Sequence, residues 1–338
     1  MKLSWKQYDL HLRHAFRISR GVEVVDPVMI VSLEHDGIVG YGEASPSPRY
    51  NETIQTIDAF LKRVDLSHFA DPFRAESIIL YVNTLASGNT CAKCAIDIAI
   101  HDWIGKKLGI PLYKFFGLDK SKAALSSFTI GIDSPQMLAQ KVHEAEEYPV
   151  LKVKVGMEND REIIGAIRHV TDKVLRVDAN EGWTKKEVAL ERIKWLQDEN
   201  VEFVEQPMPA SQLDDIKWLR DKVEMPLIAD ESVIGLTDIP KLADAFDGIN
   251  IKLMKCTGIR EATRMIHTAR AMHMKIMMGC MIETAVAISA AAHLAPLLDY
   301  ADLDGNVLIT DDPFDGARNV KGKLELNDSP GLGVVLRQ

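Results

Sequence analysis

The sequence predicts an α/β protein in which a closed (β/α)8 barrel of the TIM type is joined to a smaller N-terminal α+β capping domain. Three observations predict it. After Lys122, eight short β-branched apolar runs follow one another, each separated from the next by an amphipathic helical stretch. Residues near the ends of seven of these runs, Lys154, Asp178, Glu205, Asp230, Lys255, Met281 and Asp304, stand 24, 27, 25, 25, 26 and 23 positions apart, each about one strand-plus-helix unit. Before Lys122 the texture differs, with neighbouring strands first and helices afterwards, the order of an antiparallel sheet covered on one face.

Taken in order, the strands of the first domain are WKQYDLHL, VMIVSLEHDG and IVGYGEA, and Asp36-Gly37 supplies the hairpin turn between the last two. From Thr53 to Leu118 apolar residues recur at helical spacing, with interruptions near Asp71-Pro72 and Gly88. The barrel strands are SFTIGI, VLKVKVG, VLRVDAN, VEFVEQP, PLIADES, GINIKLMK, KIMMGCM and YADLDG. A tail follows, rich in turn residues (Pro313, Gly316, Gly322, Pro330, Gly331) and expected to return to the first domain. The expected divisions are therefore residues 1–120, 121–311 and 312–338.

The totals exclude several classes of function. A chain of 338 residues with 46% hydrophobic and 26% charged residues is an ordinary globular composition for one large domain and a smaller one. Its net charge of −9, with no basic run, disfavours nucleic acid and anionic membranes as partners. Met1 to His14 holds no apolar stretch of the signal-peptide kind, and the longest apolar segment, Thr284 to Leu298, is short for a span and carries His293. A cytoplasmic protein is expected, with its oligomeric state open, a homo-oligomer included. Cys91 and Cys94 form a CxxC, but Cys256 and Cys280 make no second pair at zinc-site spacing, and helical periodicity in CAKCAIDIAIHDWIG marks both as core.

The chemistry is expected where the strands end, because in this barrel the loops after the strands build one mouth. Asp178 in VDAN, Glu205 in VEQP and Asp230 in IADES close three consecutive apolar strands. Three such anions side by side repel one another unless a cation shares them, and all-oxygen ligation suits Mg2+, with Mn2+ as a substitute. Any one of the three alone would read as a helix cap. Lys152 and Lys154, two apart on one strand, point to one face, and their mutual repulsion favours a lowered pKa in one of them. Lys252 and Lys255, in INIKLMK, approach from the opposite side of the acids. A carboxylate substrate on the ion would have a more acidic α-proton, and a lysine on each face of the resulting enediolate could remove a proton from one side and return one from the other. Inversion at that carbon is the expected outcome.

The ordered set KVK, VDAN, VEQP, ADES and KLMKCTGI resembles the enolase superfamily, in its muconate-lactonizing subgroup, over nearly the whole chain. That resemblance implies Asp178, Glu205 and Asp230 as magnesium ligands, Lys154 and Lys255 as the two acid/base groups, and Lys152 as tuning Lys154 or touching the substrate carboxylate. Where the family pattern has two glycines after the sixth-strand lysines, this chain has Thr257 and Gly258. The Asp302-x-Asp304 pair resembles that of the dipeptide epimerases, in which two carboxylates hold the substrate's α-ammonium; local chemistry alone would also fit turn-forming aspartates. A small dipeptide is the implied partner.

In the capping domain, AFRISRG carries Arg17 and Arg20 in an expected loop, and SPSPRYNE carries Arg49. By resemblance to L-Ala-D/L-Glu epimerases, murein-peptide enzymes, Arg20 reads the distal carboxylate, with Arg17 and Arg49 as alternatives. Met281, Glu283, Thr284 and Cys280 fall near the pocket, Met281 as a substrate contact. Rival readings are another second residue, hydrophobic or cationic; an o-succinylbenzoate synthase or cycloisomerase of the same subgroup; a Schiff-base lyase; and a non-catalytic barrel.

Overall fold

The computed structural model describes residues 1–19 and 21–337. Strands β1 (Lys2–Ile18), β2 (Gly21–His35) and β3 (Ile38–Ala44) form an antiparallel sheet in that spatial order. Asp36 and Gly37 both take left-handed backbone angles, φ 50° and 72°, as a two-residue hairpin requires. Pairing of β1 with β2 continues to Arg17↔Val22 and Ile18↔Gly21, so the expected loop is strand as far as Ile18. Arg17 is thus an exposed rung of the hairpin and not a loop residue; Phe16 and Ile18 alternate with it in the period of a strand. The register slips between His11 and Phe16, and there β1 reaches the barrel instead, with Arg13 N donating to Leu308 O at 2.9 Å.

Helices α1 (Ile54–Leu61), α2 (Ala75–Leu85) and α3 (Thr90–Leu108) cover this sheet, and α4 (Leu112–Phe115) leads out of it. The sheet and α3 meet at backbone distance, since a Cβ on Gly42 would lie 1.9 Å from Ala95 O and one on Gly40 2.1 Å from Ala99 O. Glycines two apart on the strand face alanines four apart on the helix, which is what permits the approach. Burial of α3 runs without a break from Cys91 to Gly105. Cys91 and Cys94 are free thiols packed in this core.

Eight parallel strands then follow: β4 (Phe128–Ile130), β5 (Val150–Lys154), β6 (Val174–Asp178), β7 (Val201–Glu205), β8 (Leu227–Ala229), β9 (Gly248–Ile251), β10 (Lys275–Gly279) and β11 (Tyr300–Asp302). They neighbour one another in sequence order, and Ser127 N donates to Ala301 O at 3.0 Å to close the first on the last. Between them run α5 (Pro135–Glu144), α6 (Asp160–Arg168), α7 (Lys186–Leu196), α8 (Leu213–Arg220), α9 (Ile239–Leu242), α10 (Leu253–Cys256), α11 (Ile259–Ala271) and α12 (Ala285–Ala292). Leu151, Val153, Leu175 and Val177 are fully buried in the main apolar core, and the residues of opposite parity turn toward the barrel axis. Inside the barrel, Phe203, Ile228 and Met277 form a separate apolar layer with Tyr300, and the Arg176 guanidinium lies over the Phe203 and Tyr300 rings. Above that layer the strand ends carry the charged side chains of Lys152, Lys154, Asp178, Glu205, Asp230 and Asp302.

The sixth run departs from expectation. Strand β9 stops at Ile251, and Leu253–Cys256 is one helical turn, so KLMK is not strand. The chain after Asp311 forms two short antiparallel pairs, β12 (Phe314–Asp315) with β15 (Val335–Leu336) and, between them in sequence, the hairpin of β13 (Arg318–Val320) with β14 (Lys323–Glu325). It touches α3, where Leu332 N donates to Asp102 Oδ1 at 2.8 Å, and the barrel, where Ala317 N donates to Ser289 Oγ at 2.8 Å. No helix among the described residues is long and apolar enough to cross a membrane.

Candidate active site

At the carboxyl ends of β6, β7 and β8 the structure brings Asp178, Glu205 and Asp230 together. One ligand oxygen of each lies within 4.8 Å of the others, and all three are fully buried. Among the described residues this is the only group of three or more acids, histidines or cysteines close enough to share an ion. Neighbouring polar groups fix each acid. Asp178 Oδ1 accepts from Asn180 N at 2.9 Å, Glu205 Oε1 from Asn250 Nδ2 at 2.7 Å, and Asp230 N donates to Gln206 Oε1 at 3.0 Å.

Four lysines surround this cluster, and their exposure divides them. Lys152 Nζ is 2.7 Å from Glu205 Oε2, 2.8 Å from Asp302 Oδ2 and 3.2 Å from Asp178 Oδ2, with a side chain only 1% exposed. Lys154 Nζ donates to Asp178 Oδ2 at 2.7 Å and is 9% exposed. Lys252 Nζ is 2.8 Å from Asp230 Oδ2 and 11% exposed. Lys255 is 1% exposed, and its ammonium is spent on Asp230 O at 2.6 Å and Asn250 O at 3.2 Å besides the Asp230 carboxylate.

The cavity separates the two lysines that follow β9. Lys154 and Lys252 line the cavity at the barrel mouth, a space of about 290 Å³, and Lys255 does not. The helical turn after Ile251 rotates Lys255 behind Asp230, leaving Lys252 as the ammonium on that side. Lys154 precedes the triad on β5 and Lys252 follows it just after β9, so the two flank β6, β7 and β8 from opposite sides.

Charge in the cluster is unbalanced in a way that suits a hard divalent ion. Burial would lift every one of these acids, but Lys154 and Lys152 hold Asp178 well below the usual carboxylate range, and Lys252 and Lys255 do the same for Asp230. Glu205, between them, is pushed up to about 7 by burial and by the Asp178 carboxylate. Glu205 Oε2 and Asp230 Oδ2 accept no well-aligned hydrogen bond, although lysine ammoniums lie beside them. Buried oxygens from three acids, two of them incompletely satisfied, are a donor set that fits Mg2+. Lys152, one of the two β5 lysines, is not lowered: burial alone would lower it, but Asp302, Glu205 and Asp178 together raise it well above its ordinary value.

Asp302 and Asp304 both line the cavity. Asp302 is tied to Lys152 and accepts from Ser127 Oγ at 2.7 Å; Asp304 Oδ2 accepts from Thr129 N at 2.6 Å and its carboxyl is pushed up to about 7 by burial and by Asp302. Met281 and Cys280 line the same space, whereas Thr284 caps α12 and Glu283 accepts from Met281 N at 3.0 Å.

On the capping side the three arginines separate. Arg20 lies outside the described residues. Arg17 is not in the cavity wall, and Arg49 lines it while held in a two-bond pair with Glu181, both bonds 2.8 Å. Sequence reasoning missed Glu23 and Asp26, which also line the cavity. Asp26 is pushed up to about 7 by burial and by Glu23. Their signal was two acids inside the apolar run VEVVDPV.

The protein is an isomerase of the racemase and epimerase type, the class to which this barrel mouth of buried acids and paired lysines corresponds. The chain belongs to the enolase superfamily: a family model described as enolase C-terminal domain-like matches residues 136–338, and one described as mandelate racemase / muconate lactonizing enzyme, N-terminal domain, matches residues 6–117. The L-Ala-D/L-Glu epimerase of Bacteroides thetaiotaomicron is 48% identical over 336 residues, spanning 99% of this chain and 88% of that protein. The crystal structure of dipeptide epimerase from Enterococcus faecalis V583 complexed with Mg and dipeptide L-Leu-L-Tyr is similar with a TM-score of 0.91 and 34% identity, over 98% of each chain. The dipeptide epimerase from Methylococcus capsulatus complexed with Mg and dipeptide L-Arg-D-Lys has a TM-score of 0.91 and 30% identity over 99% of each chain.

Proposed function

We propose that this protein epimerises the C-terminal residue of a dipeptide, with L-Ala-D/L-Glu as substrate, by proton transfer between two lysines. The carrying observation is the pair Lys154 and Lys252, two partly exposed ammoniums on opposite sides of the acid triad. Asp178, Glu205 and Asp230 would hold Mg2+, which when bound supplies Lewis acidity toward the substrate carboxylate and so acidifies the α-proton. In its neutral form one lysine takes that proton, and the ammonium across the planar enediolate returns one to the opposite face. Lys152, 1% exposed and tied to Asp302, Glu205 and Asp178 at once, contributes positive charge where the carboxylate sits rather than a base. Asp304, with Asp302, receives the dipeptide's ammonium. On this reading residues 1–120 cover the mouth, 121–311 hold the chemistry and 312–338 tie the two together.

The relative at 48% identity supports glutamate as the second residue. The test is L-Ala-L-Glu in deuterated buffer with Mg2+, followed by mass spectrometry and chiral separation. Deuterium at the glutamate α-carbon together with appearance of the D-epimer is the expected result; loss of neither proton nor configuration would defeat the proposal.

Glu23 and Asp26 favour a second reading, in which the distal side chain is a cation. The two substrates should respond to pH in opposite directions. Asp26 gains charge as pH rises through about 7, so KM for Ala-Glu should rise over that range and KM for Ala-Lys should fall. Comparing kcat/KM for the two dipeptides from pH 6 to pH 8 (roughly one unit either side of that midpoint) decides which side chain the hairpin receives.

A further inference from the structure

The position of Lys252 depends on a short and strained stretch of chain. After Lys252 the backbone makes the single turn α10, then passes through Thr257 at φ 72° and Gly258 at φ 113° before α11 begins. A β-branched residue is disfavoured in the left-handed region and persists there only where its surroundings fix it.

Those surroundings come from the capping domain. Asp97, in the middle of α3 and fully buried, accepts a hydrogen bond from Arg260 N at 3.2 Å. It thereby caps the N-terminus of α11 from outside that helix, with its negative charge at the positive end of the helix dipole. The same carboxylate fills the space beside Gly258, where a Cβ would lie 2.4 Å from Asp97 Oδ2. The turn before it is gripped as well, by Ser45 N donating to Met254 Sδ at 3.3 Å and Cys91 Sγ to Met254 O at 3.7 Å. Lys252 therefore sits at the start of a turn whose far end is anchored by a residue of another part of the chain.

We propose that Asp97 is a positioning residue for Lys252: it touches no substrate, but it locks the α10–α11 junction and with it the direction of the Lys252 ammonium. The inference rests on the two-lysine reading above, and that reading supplies its test. Each lysine serves one epimer, so a displaced Lys252 should slow isotope exchange from one epimer only. A merely structural role for Asp97 would lower both rates together.

The experiment measures α-proton exchange in deuterated buffer from L-Ala-L-Glu and L-Ala-D-Glu separately, with wild type, Asp97→Ala and Asp97→Asn, all with Mg2+. Asp97→Ala should slow exchange from one epimer by roughly ten- to a hundredfold, the scale of a small misplacement of a reacting group. The other epimer's rate and both KM values should stay near wild type. Asparagine keeps an acceptor and should shift the ratio in the same direction by less, which also preserves the test if the alanine variant does not fold. A ratio unchanged in both variants, or both rates falling in parallel, overturns the proposal. Wild type exchanging neither epimer would instead strike the two-lysine reading itself.

Discussion

Replacing Lys252 with alanine is expected to cut epimerisation by about 10²- to 10⁴-fold, the usual worth of a positioned acid or base, while exchange persists from the epimer that Lys154 serves. Lys255→Met should behave differently. Its ammonium is buried against Asp230 and two backbone carbonyls and lines no part of the cavity. Losing it leaves a buried carboxylate with one partner fewer, an effect of roughly 3 kcal/mol for a broken buried pair, read as a lower Tm, with proton exchange retained from both epimers. The comparison discriminates sharply between the two lysines. If Lys252→Ala exchanged both epimers like wild type and Lys255→Met exchanged only one, the assignment drawn from the cavity would be wrong.

Chelation supplies the second large effect. EDTA should abolish turnover, and titrating Mg2+ back should raise Tm, by about 2.7 kcal/mol of stability at a hundred times Kd. The gain should also depend on pH. In the ion-free protein Glu205 is raised to about 7 from an ordinary value of 4.5. A raised carboxyl stabilises the fold fully below its unfolded pKa, and that contribution is lost as pH climbs through the folded one. Bound Mg2+ requires the same group ionised, so its thermal shift should be larger at pH 8 than at pH 6, about one unit either side of that value. A shift independent of pH, or one surviving intact in Glu205→Gln, would remove Glu205 from the ion's shell.

The triad was legible because each acid closes an apolar strand, and an anion there has no local justification. Lys252 was legible too, by the same alternation that paired Lys152 with Lys154: Asn250 and Lys252 are two apart and both belong inside, whereas Lys255 breaks the parity. The family resemblance singles out Lys255 instead, and a one-turn helix of four residues leaves almost no periodic signal to set against it. Tertiary electrostatics set the Lys152 pKa. Repulsion from Lys154 argues one way, but the acids of β6, β7 and β11 outnumber it, and only the closed barrel reveals that they converge.

The capping domain was less readable. Arg17 was expected in a loop because the hairpin's apolar core ends near Val28, but its strands are extended by pairing with each other and not by burial. Asp97 and Glu43 carried no sequence signal at all. Each is a buried acid whose donors lie 163 to 244 positions away, at the starts of α11 and α12; Glu43 accepts from Thr284 N at 2.8 Å and Ala287 N at 3.0 Å. Helix capping is recognisable when the cap is the preceding residue, and invisible when another domain provides it.

The Phe203, Ile228, Met277 and Tyr300 layer has a bearing on traffic through the enzyme. With the floor stoppered by packed hydrocarbon and aromatic rings, the acids and lysines meet solvent at the barrel mouth, where hairpin residues Phe16, Ile18, Glu23 and Asp26 line the cavity. On the two-lysine reading, a proton lifted from the substrate therefore exchanges with solvent by way of that mouth and not through the floor.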